Sequence, residues 1–282
     1  MNDKVTILIN SCDKYKSAWE PFLDLFSIQW PNCPYKFLIN SETVIYNGKH
    51  KAVETLCPND KTLTWTQRFK YALNHIDSEY VLCFIEDYFL LKPVNTSVFE
   101  KAVKIMDDNP NVGMICLAST KKTGIKTDDY EDDDFYSRKI DKNNLIWCRT
   151  NLYRKDYLLK LLRDHETVWN FESYASYRAV KLPYIILQQN NNSPETFTFS
   201  VKIEDGIGIT RKKWLRGNVA LFEKYNIDAD FDELGFFDEL PFDSPSESKK
   251  NFFMESAYKI KKGIRNAKKE IKKQNSIRKS KK

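Results

Sequence analysis

The feature that most constrains the fold is an alternation, along residues 4–117, of apolar β-branched segments with segments whose apolar residues recur at helical spacing. Lys4 to Asn10 (KVTILIN) has the composition of a buried strand. A helix is predicted to follow from about Ser17 and to stop at Pro31, with an apolar face made of Trp19, Phe22, Leu23, Phe26 and Trp30. Strands that alternate with helices in this way predict an α/β fold with a mostly parallel sheet covered by helices.

The alternation continues to residue 117 and is less regular beyond it. Further strands are predicted at Tyr35–Asn40, Tyr80–Ile85, Val112–Leu117, Leu145–Thr150, Tyr184–Gln189 and Phe197–Val201. Further helices are predicted at Trp65–Ile76, Val98–Met106 and Lys155–Arg163, with a helix or turn at Trp169–Tyr177. The acidic segment Thr127–Phe135 is predicted to be a solvated loop, with a mobile lid as the alternative.

The positive charge of the chain is concentrated in its last residues. The net charge is +6, but residues 249–282 hold 14 Lys or Arg against two acidic residues, which gives +12, and residues 1–248 hold 31 against 37, which gives −6. Apolar residues of this tail form one stripe on an otherwise basic helix: Phe253, Ala257, Ile260, Ile264, Ala267 and Ile271. The polar segment Asp243–Ser248 resembles a linker. We therefore predict a catalytic domain over 1–248 and a basic amphipathic tail over 249–282.

A tail of this kind predicts attachment to an anionic membrane surface, to which each Lys or Arg contributes about 1 kcal/mol. A partner-binding helix and an RNA-binding arm are the alternatives. The acidic balance of residues 1–248 argues against a nucleic-acid groove there. The chain has no apolar run of about 20 residues and no signal-peptide core at its start, so we expect a cytoplasmic protein held at the inner face of the cell membrane.

The cysteines do not form a recognisable metal or disulfide pattern. Six of them are scattered through the chain, with no closely spaced pair and no histidine at metal-ligand spacing. Several lie within apolar segments, where a reduced thiol packs as a small hydrophobic group. We expect all six to be free.

A polar loop follows the first predicted strand, and ligands of open parallel sheets bind beyond the carboxyl ends of the strands. This loop contains Asn10, Ser11, Asp13, Lys14 and Tyr15. A carboxylate there can hold a base or ribose, a tyrosine can stack on a base, and a lysine can meet a phosphate. The alternative is a polar loop without function. The chain has no Gly-rich phosphate-binding motif.

Two adjacent carboxylates, Glu86 and Asp87, interrupt the apolar segment Tyr80–Leu91 where a buried strand is expected to end. Charges at such a position are costly unless they are paired or coordinated. A divalent cation, Mg²⁺ or Mn²⁺, would be a suitable partner and would stabilise the charge on a departing nucleoside diphosphate. The alternative partners are backbone N–H groups or Arg68.

These two motifs resemble those of GT-A nucleotide-sugar glycosyltransferases of bacterial capsular or lipopolysaccharide assembly, through Asn10–Tyr15 and Glu86–Leu90. The resemblance covers Lys4–Asp230 and implies a GT-A (Rossmann-like) fold whose first loop receives the nucleotide. It also implies that Asp87 is a metal ligand, with Glu86 as second ligand or ribose contact beside Tyr88. The motif lacks the second carboxylate of the family's Asp-x-Asp, so dependence on a metal stays open.

The resemblance extends to the helix that precedes the acidic residues, which in GT-A folds often faces the donor. Trp65 and Arg68 are therefore expected to contact the uracil or the diphosphate. Core packing is the alternative for Trp65, and Arg68 is the better candidate because a guanidinium suits phosphate. A later segment, Lys212–Trp214, is similar to a part of the family that contacts the donor or its phosphates. A solvated basic turn is the alternative there.

An inverting transferase also needs a base that takes a proton from the acceptor hydroxyl. The segment Trp169–Glu172 places a carboxylate in an aromatic setting that would raise its pKa, and the resemblance implies a similar segment near the acceptor. We therefore predict Glu172 as the catalytic base, with Asp87 as the other catalytic residue. The alternative for Glu172 is a salt bridge with Arg178 or Arg154. His165 is a lesser candidate.

Together these features predict transfer of a sugar from a nucleoside diphosphate-sugar, with UDP as the expected nucleotide, to a saccharide acceptor on a lipid carrier. A nucleotidyltransferase using the same acidic residues is an alternative, although the chain lacks the Gly-rich loop that such enzymes use on triphosphates. A non-catalytic nucleotide-binding or RNA-binding scaffold is the alternative outside the enzymes.

Overall fold

A computed structural model of the chain describes residues 3–117, 125–139, 146, 148–199 and 208–237. Its central strands are β1 Val5–Asn10, β2 Lys36–Asn40, β3 Val53–Leu56, β4 Tyr80–Phe84, β5 Val112–Cys116, β6 Lys126–Glu131, β7 Phe135–Arg138, β8 Asn151–Arg154 and β9 Ile185–Gln189. Its helices are α1 Trp19–Gln29, α2 Trp65–Asn74, α3 Thr96–Asp108, α4 Lys155–Leu161, α5 Val168–Ala179 and α6 Gly217–Tyr225. A short 3-10 helix, Asp13–Ala18, precedes α1, and a small hairpin joins β10 Ile209–Thr210 to β11 Lys213–Trp214.

The nine central strands form one sheet in the order β3-β2-β1-β4-β8-β5-β9-β7-β6. Strands β7 and β8 run antiparallel to their neighbours, and the other seven run in one direction. The predicted α/β class with a mostly parallel sheet is therefore confirmed. In the register of the middle strands, Ile9 lies between Ile39 of β2 and Phe84 of β4.

Helices cover both faces of this sheet because the inner strands are apolar on both faces. Along β1, Ile7 and Ile9 belong to one hydrophobic cluster, which includes the buried residues of α1 and α3, whereas Leu8 belongs to a second cluster with those of α2, α4 and α5. Successive strand residues point to opposite faces, which explains this division. Burial on both faces accounts for the continuous apolar composition of β1 and β4.

The predicted solvated loop at Thr127–Phe135 is wrong, because most of this segment lies in the antiparallel strands β6 and β7 at the edge of the sheet. Its carboxylates are held by neighbours rather than by solvent alone. Lys101 Nζ lies 2.5 Å from Asp134 Oδ2 and 3.2 Å from Asp132 Oδ2. An edge strand tolerates such charge, since its outer face stays in water.

Two other expectations differ from the structure at element boundaries. The strand predicted at Leu145–Thr150 begins later, as β8, which starts at Asn151. Of the strand predicted at Phe197–Val201, the described part forms isolated bridges at Phe197 and Phe199 and no continuous strand; Phe199 pairs with Leu90. The predicted tail 249–282 and its boundary at residue 248 lie outside the described residues. Among the helices that are described, none is long and apolar enough to cross a bilayer.

The cysteines are all free, as expected. Burial is the main cause that raises the pKa of Cys12 to about 11 and that of Cys33 to about 12. These two thiols therefore stay protonated at neutral pH and pack as small hydrophobic groups.

Candidate active site

The first loop and the acidic residues lie at one edge of the sheet, because β1 and β4 are parallel neighbours. At this edge the side chain of Asn40, at the end of β2, donates to Asn10 Oδ1 over 2.7 Å. The backbone N–H of Ser11 donates to the carbonyl of Asn40 over 3.1 Å. The carboxyl ends of three strands thus form the rim where ligands of open parallel sheets bind.

Asp13 anchors the loop that follows β2. Its carboxylate accepts hydrogen bonds from the backbone N–H groups of Glu42, Thr43 and Val44 at 3.0–3.1 Å and from the Thr43 hydroxyl at 2.6 Å. Burial raises the pKa of Asp13, but these donors outweigh burial and leave the pKa below its usual value. The ionised side chain therefore fixes two loops of the rim, and its contact with a base or ribose stays a prediction.

Arg68 joins α2 to the first loop. Thr64 and Gln67 form a capping box that starts α2 and so places Arg68 in its first turn. Arg68 is 5% exposed, its Nη1 donates to the Ser11 carbonyl over 3.1 Å, and its Nη2 lies 3.2 Å from Glu42 Oε1. Its Nε has no hydrogen-bond partner among the described residues. Arg68 is therefore a buried cation beneath the rim, and its Nε–H group has no described acceptor.

Trp65, at the start of the same helix, is partly buried and packs against the hydrophobic core. Its ring centroid lies 5.2 Å from that of Phe69 and 5.4 Å from that of Phe171. Such tilted contacts are typical of buried aromatic clusters. The predicted contact of Trp65 with a uracil stays a prediction.

Glu86 and Asp87 follow β4 after one intervening residue and are buried, at 5% and 8% exposure. Burial raises the pKa of both carboxyl groups, and the neighbouring Asp87 charge raises that of Glu86 further. The Ser11 side chain and the Arg68 charge act in the opposite direction on Glu86. Glu86 Oε2 has no hydrogen-bond partner among the described residues. Backbone N–H groups and the Arg68 charge thus favour the ionised form of Glu86, and one buried oxygen of Glu86 has no described donor.

The β10–β11 hairpin packs directly on Asp87. The backbone N–H of Gly208 donates to the Asp87 carbonyl over 3.0 Å, and the N–H of Ile209 donates to its carboxylate. On the other side, Asn218 Nδ2 donates to the Gly208 carbonyl over 2.6 Å. Sequence reasoning missed Gly208 and Asn218 as residues of the site. A segment about 120 positions after Asp87 therefore completes its environment.

Position 208 requires glycine because Phe89 and the Asp87 carbonyl leave no room for a Cβ atom. A Cβ at this position would lie 2.2 Å from Cε2 of Phe89 and 3.0 Å from the Asp87 carbonyl oxygen. We expect Gly208→Ala to lower the free energy of unfolding by about 1–3 kcal/mol, because the overlap must be relieved by moving the hairpin. Gly217→Ala is the matched control, since nothing lies within 4 Å of its Cβ position. Urea denaturation measures both variants, and equal midpoints would contradict this packing.

Glu172 lies on α5, whose N-terminus is capped by Thr167. Its Oε1 accepts the backbone N–H of Cys148 over 2.8 Å. Burial raises the pKa of Glu172 to about 7, against the opposing effects of the Cys148 N–H and the Arg149 charge. Sequence reasoning missed Cys148 and Arg149, which precede β8.

The alternative salt bridges for Glu172 are wrong. Both Nη atoms of Arg178 donate to Glu166 at 2.7 Å, and Arg154 pairs with Glu79. The aromatic setting of Glu172 also differs from the expectation. Trp169 is 73% exposed because it lies on the outer side of α5, whereas Phe171 is buried beside Trp65.

Tyr88 follows Glu86 and Asp87 directly in the chain. It is 4% exposed, and its ring packs edge-on against Phe199 with centroids 5.1 Å apart. Burial is the main cause that raises its pKa; the charges of Asp87 and Glu172 raise it further, and that of Arg149 lowers it. The charges of Asp87, Arg149 and Glu172 thus all act on the pKa of one buried hydroxyl.

Tyr15 also belongs to this group. Burial, followed by the charges of Cys12, Glu86 and Asp87, raises its pKa to about 12. The structure therefore brings together most of the predicted site residues: Asn10, Ser11, Tyr15, Arg68, Glu86, Asp87, Tyr88 and Glu172. His165 lies elsewhere, on an exposed loop beside Asp164.

Glu86 and Asp87 fit a divalent cation as oxygen ligands, because a buried carboxylate oxygen without a described donor can serve as a hard ligand. They do not form a complete protein cage. In the described parts of the chain, the compact group of three metal-ligating side chains is a different one, made of Glu20, Asp24 and His50. A cation at Glu86 and Asp87 would therefore need further oxygen ligands from a donor or from water.

The sequence matches no protein-family model and no curated protein sequence. Among solved structures, residues 1–349 of S. aureus TarS are 12% identical with a TM-score of 0.44, over 67% of this chain and 59% of that one. The same TarS fragment in complex with UDP-GlcNAc is 10% identical with a TM-score of 0.39, over 82% and 68%. The 2-C-methyl-D-erythritol 4-phosphate cytidylyltransferase from Thermus thermophilus is 10% identical with a TM-score of 0.42, over 71% and 95%. The α/β class of this chain rests on its own strand order and directions.

Proposed function

We propose that this chain is a glycosyltransferase that moves a sugar from a nucleoside diphosphate-sugar, with UDP as the nucleotide to test first, to a saccharide acceptor. One observation carries the proposal. Asp87, one of the two buried carboxylates after β4, and Glu172, a separate carboxylate whose pKa burial raises to about 7, both act on the pKa of the buried Tyr88. Perturbed carboxylates that converge on one edge are typical of active sites.

In this proposal Glu172 is the general base. A base works best when its pKa lies near the working pH, and burial brings Glu172 to about 7. The Cys148 N–H holds one carboxylate oxygen, so the other oxygen is available to accept the proton of an acceptor hydroxyl. Arg149 favours the ionised form.

The nucleotide is proposed to bind at the first loop, beside the two carboxylates that follow β4, near Asn10, Ser11, Lys14 and Tyr15. Tyr15 offers a half-buried ring, and Arg68 holds the Ser11 carbonyl so that the loop keeps its shape. Glu86 and Asp87 would hold a Mn²⁺ or Mg²⁺ ion, which stabilises negative charge on a departing diphosphate when it is bound.

Calorimetric titration with UDP tests the nucleotide site. We expect the wild-type chain to bind UDP in the presence of Mn²⁺ and Asp87→Ala to bind at least about tenfold more weakly, the loss typical of one charged ligand. Asp133→Ala, which removes an exposed carboxylate from the β6–β7 turn, is the control and should bind as wild type. Absence of UDP binding, or equal binding by Asp87→Ala, would contradict the proposed site.

We further propose that residues 249–282 hold the enzyme at the inner face of the cell membrane, where the acceptor is linked to a lipid for cell-surface polysaccharide synthesis. The support is the +12 charge and the single apolar stripe of this segment. A chain ending at residue 248 should lose co-sedimentation with vesicles containing phosphatidylserine while it keeps UDP binding. Neutral phosphatidylcholine vesicles are the control. Retained sedimentation, or binding of RNA with higher affinity than vesicles, would contradict this role of the tail.

A further inference from the structure

The outer face of α5 carries a stripe of exposed apolar side chains. Trp169 is 73% exposed, Tyr177 is 54% exposed and Val180 is 62% exposed. Positions 169, 173, 177 and 180 are four, four and three residues apart, so they lie along one side of the helix. Among the described residues, three of the six exposed large hydrophobic side chains therefore belong to this one face. We call Trp169, Tyr177 and Val180 the α5 stripe.

The two charged residues of α5, Glu172 and Arg178, are turned towards the protein. Both Nη atoms of Arg178 donate to Glu166 at 2.7 Å, and Glu172 accepts the backbone N–H of Cys148 over 2.8 Å. Charged residues make up 30% of the chain, yet the solvent side of this helix has none. A surface helix normally turns its polar face to water, so the exposed apolar face indicates a partner.

Cations that have no acidic partner lie at both ends of the α5 stripe. Arg163 is exposed shortly before α5, and Lys181 is exposed directly after Val180. Neither forms an ion pair with a described carboxylate, and the acid beside Arg163, Asp164, pairs with Lys70 at 2.5 Å. Tryptophan and tyrosine flanked by lysine and arginine are typical of segments that lie at the surface of a membrane. Anionic lipid headgroups would supply the missing negative charge.

A lipid surface fits the α5 stripe better than a protein does. The helix has 12 residues and is about 18 Å long. Three side chains on it offer far less than the roughly 800 Å² that each partner of a stable protein complex buries. Membrane attachment needs no such area, because two weak attachments together hold a protein where one is marginal. The basic tail 249–282 is a poor occupant, since its cations would meet Arg163 and Lys181.

We propose that the α5 stripe lies on an anionic membrane surface, inserted between the lipid headgroups, with Arg163 and Lys181 at the lipid phosphates. This contact is separate from the proposed attachment of the tail. The inference rests on the proposed function, in which the acceptor is linked to a lipid. Glu172 lies three residues after Trp169 on the same helix. The contact would therefore place the proposed base close to the surface from which the acceptor comes.

Quenching of tryptophan fluorescence by lipids with brominated acyl chains tests this contact in the full-length chain. We expect vesicles of brominated phosphatidylcholine and phosphatidylserine to quench the wild type, and Trp169→Phe to lose most of that quenching. Trp169 is the exposed tryptophan of the described chain. The other tryptophans that the structure describes are buried or partly buried: Trp19, Trp30, Trp65 and Trp214.

Co-sedimentation with the same vesicles measures the strength of the contact. We expect Trp169→Ser and Tyr177→Ser each to weaken binding about tenfold, because each removes a large apolar side chain from the interface. Their urea midpoints should equal that of the wild type, since both side chains are exposed. Ile28→Ser is the matched control. Ile28 is 43% exposed on α1, which covers the other face of the sheet, so this variant should bind as wild type.

Several results would overturn the inference. Vesicle binding without quenching through Trp169 would leave the tail as the attachment, and binding by Trp169→Ser within twofold of Ile28→Ser would exclude the stripe. Absence of vesicle binding by the wild type would exclude both attachments. A dimer in analytical ultracentrifugation that Trp169→Ser dissociates would assign the stripe to a second copy of the chain.

Failure of this inference is distinguishable from failure of the proposed function. Quenching through Trp169 without turnover of any nucleotide-sugar would support the membrane contact and contradict the transferase. Turnover of a nucleotide-sugar without that quenching would support the transferase and contradict the membrane contact.

Discussion

Glu172→Gln should lower kcat by about 10³-fold and leave the Kd for the donor nucleotide unchanged, because a general base contributes typically 10²–10⁴-fold and the amide cannot accept the proton. The amide oxygen can still accept the Cys148 N–H, so the local structure should persist. Steady-state kinetics and calorimetry measure the two quantities. Glu100→Gln, an exposed change on α3, is the control. Activity within threefold of wild type would exclude Glu172 as the base.

The pH dependence of the same residue follows from its raised pKa. The base works when ionised, so kcat/KM of the wild type should fall as the pH drops through about 7. Stability changes in the opposite direction. The pKa is higher in the folded chain than its ordinary value of 4.5, so the folded state binds more protons and loses stability as the pH rises from 4.5 to 7. Glu172→Gln should therefore be more stable than wild type at pH 8 and equal to it at pH 4. A variant less stable than wild type at pH 8 would contradict this burial.

Arg68→Met should lower the free energy of unfolding by roughly 3 kcal/mol, since removing one partner of a buried ion pair leaves the other partner uncompensated. Methionine fills much of the volume of the side chain but cannot donate to the Ser11 carbonyl or pair with Glu42. The Arg68 charge also favours the ionised form of Glu86, so its loss should keep Glu86 protonated and weaken binding of Mn²⁺. Urea denaturation and metal titration by calorimetry measure these effects.

Two further variants show whether the cation itself is responsible. Arg163→Met, on an exposed segment after α4, should change the free energy of unfolding by less than about 0.5 kcal/mol. The double variant Arg68→Met with Glu42→Gln should recover part of the lost stability, because it removes the carboxylate left without its partner. A double variant no more stable than Arg68→Met would contradict the assigned pairing.

The sequence predicts those elements of the fold that are marked by a local pattern, such as a continuous apolar segment or an apolar helix face. Strands β1 and β4 are continuous apolar segments because both faces are covered, and α2 has an apolar face with a capping box at its start. Placing Asn10 and Glu86 at one edge followed from the parallel sheet alone. In contrast, β3 (Val53–Leu56) is half-buried and only partly apolar, so its composition does not distinguish it from a loop.

The rest of the candidate site depends on contacts between residues far apart in the chain. From the sequence alone, Arg178 could pair with any of several acidic residues. In the structure, the packing of α5 places Arg178 beside Glu166 and not beside Glu172. Gly208 and Asp87 are about 120 positions apart, and no periodicity links them. Such choices are made by tertiary packing, which local composition does not encode.

The most direct test of the proposed transferase is an incubation of the purified chain with a panel of UDP- and GDP-sugars, followed by mass spectrometry of the products. The proposal predicts release of a nucleoside diphosphate and free or transferred sugar from at least one donor, with rates strongly reduced in Glu172→Gln and Asp87→Ala and retained in Asp133→Ala. Formation of a nucleoside triphosphate from a nucleotide-sugar and pyrophosphate would instead indicate a nucleotidyltransferase. That result, or no turnover of any donor, would contradict the proposed function.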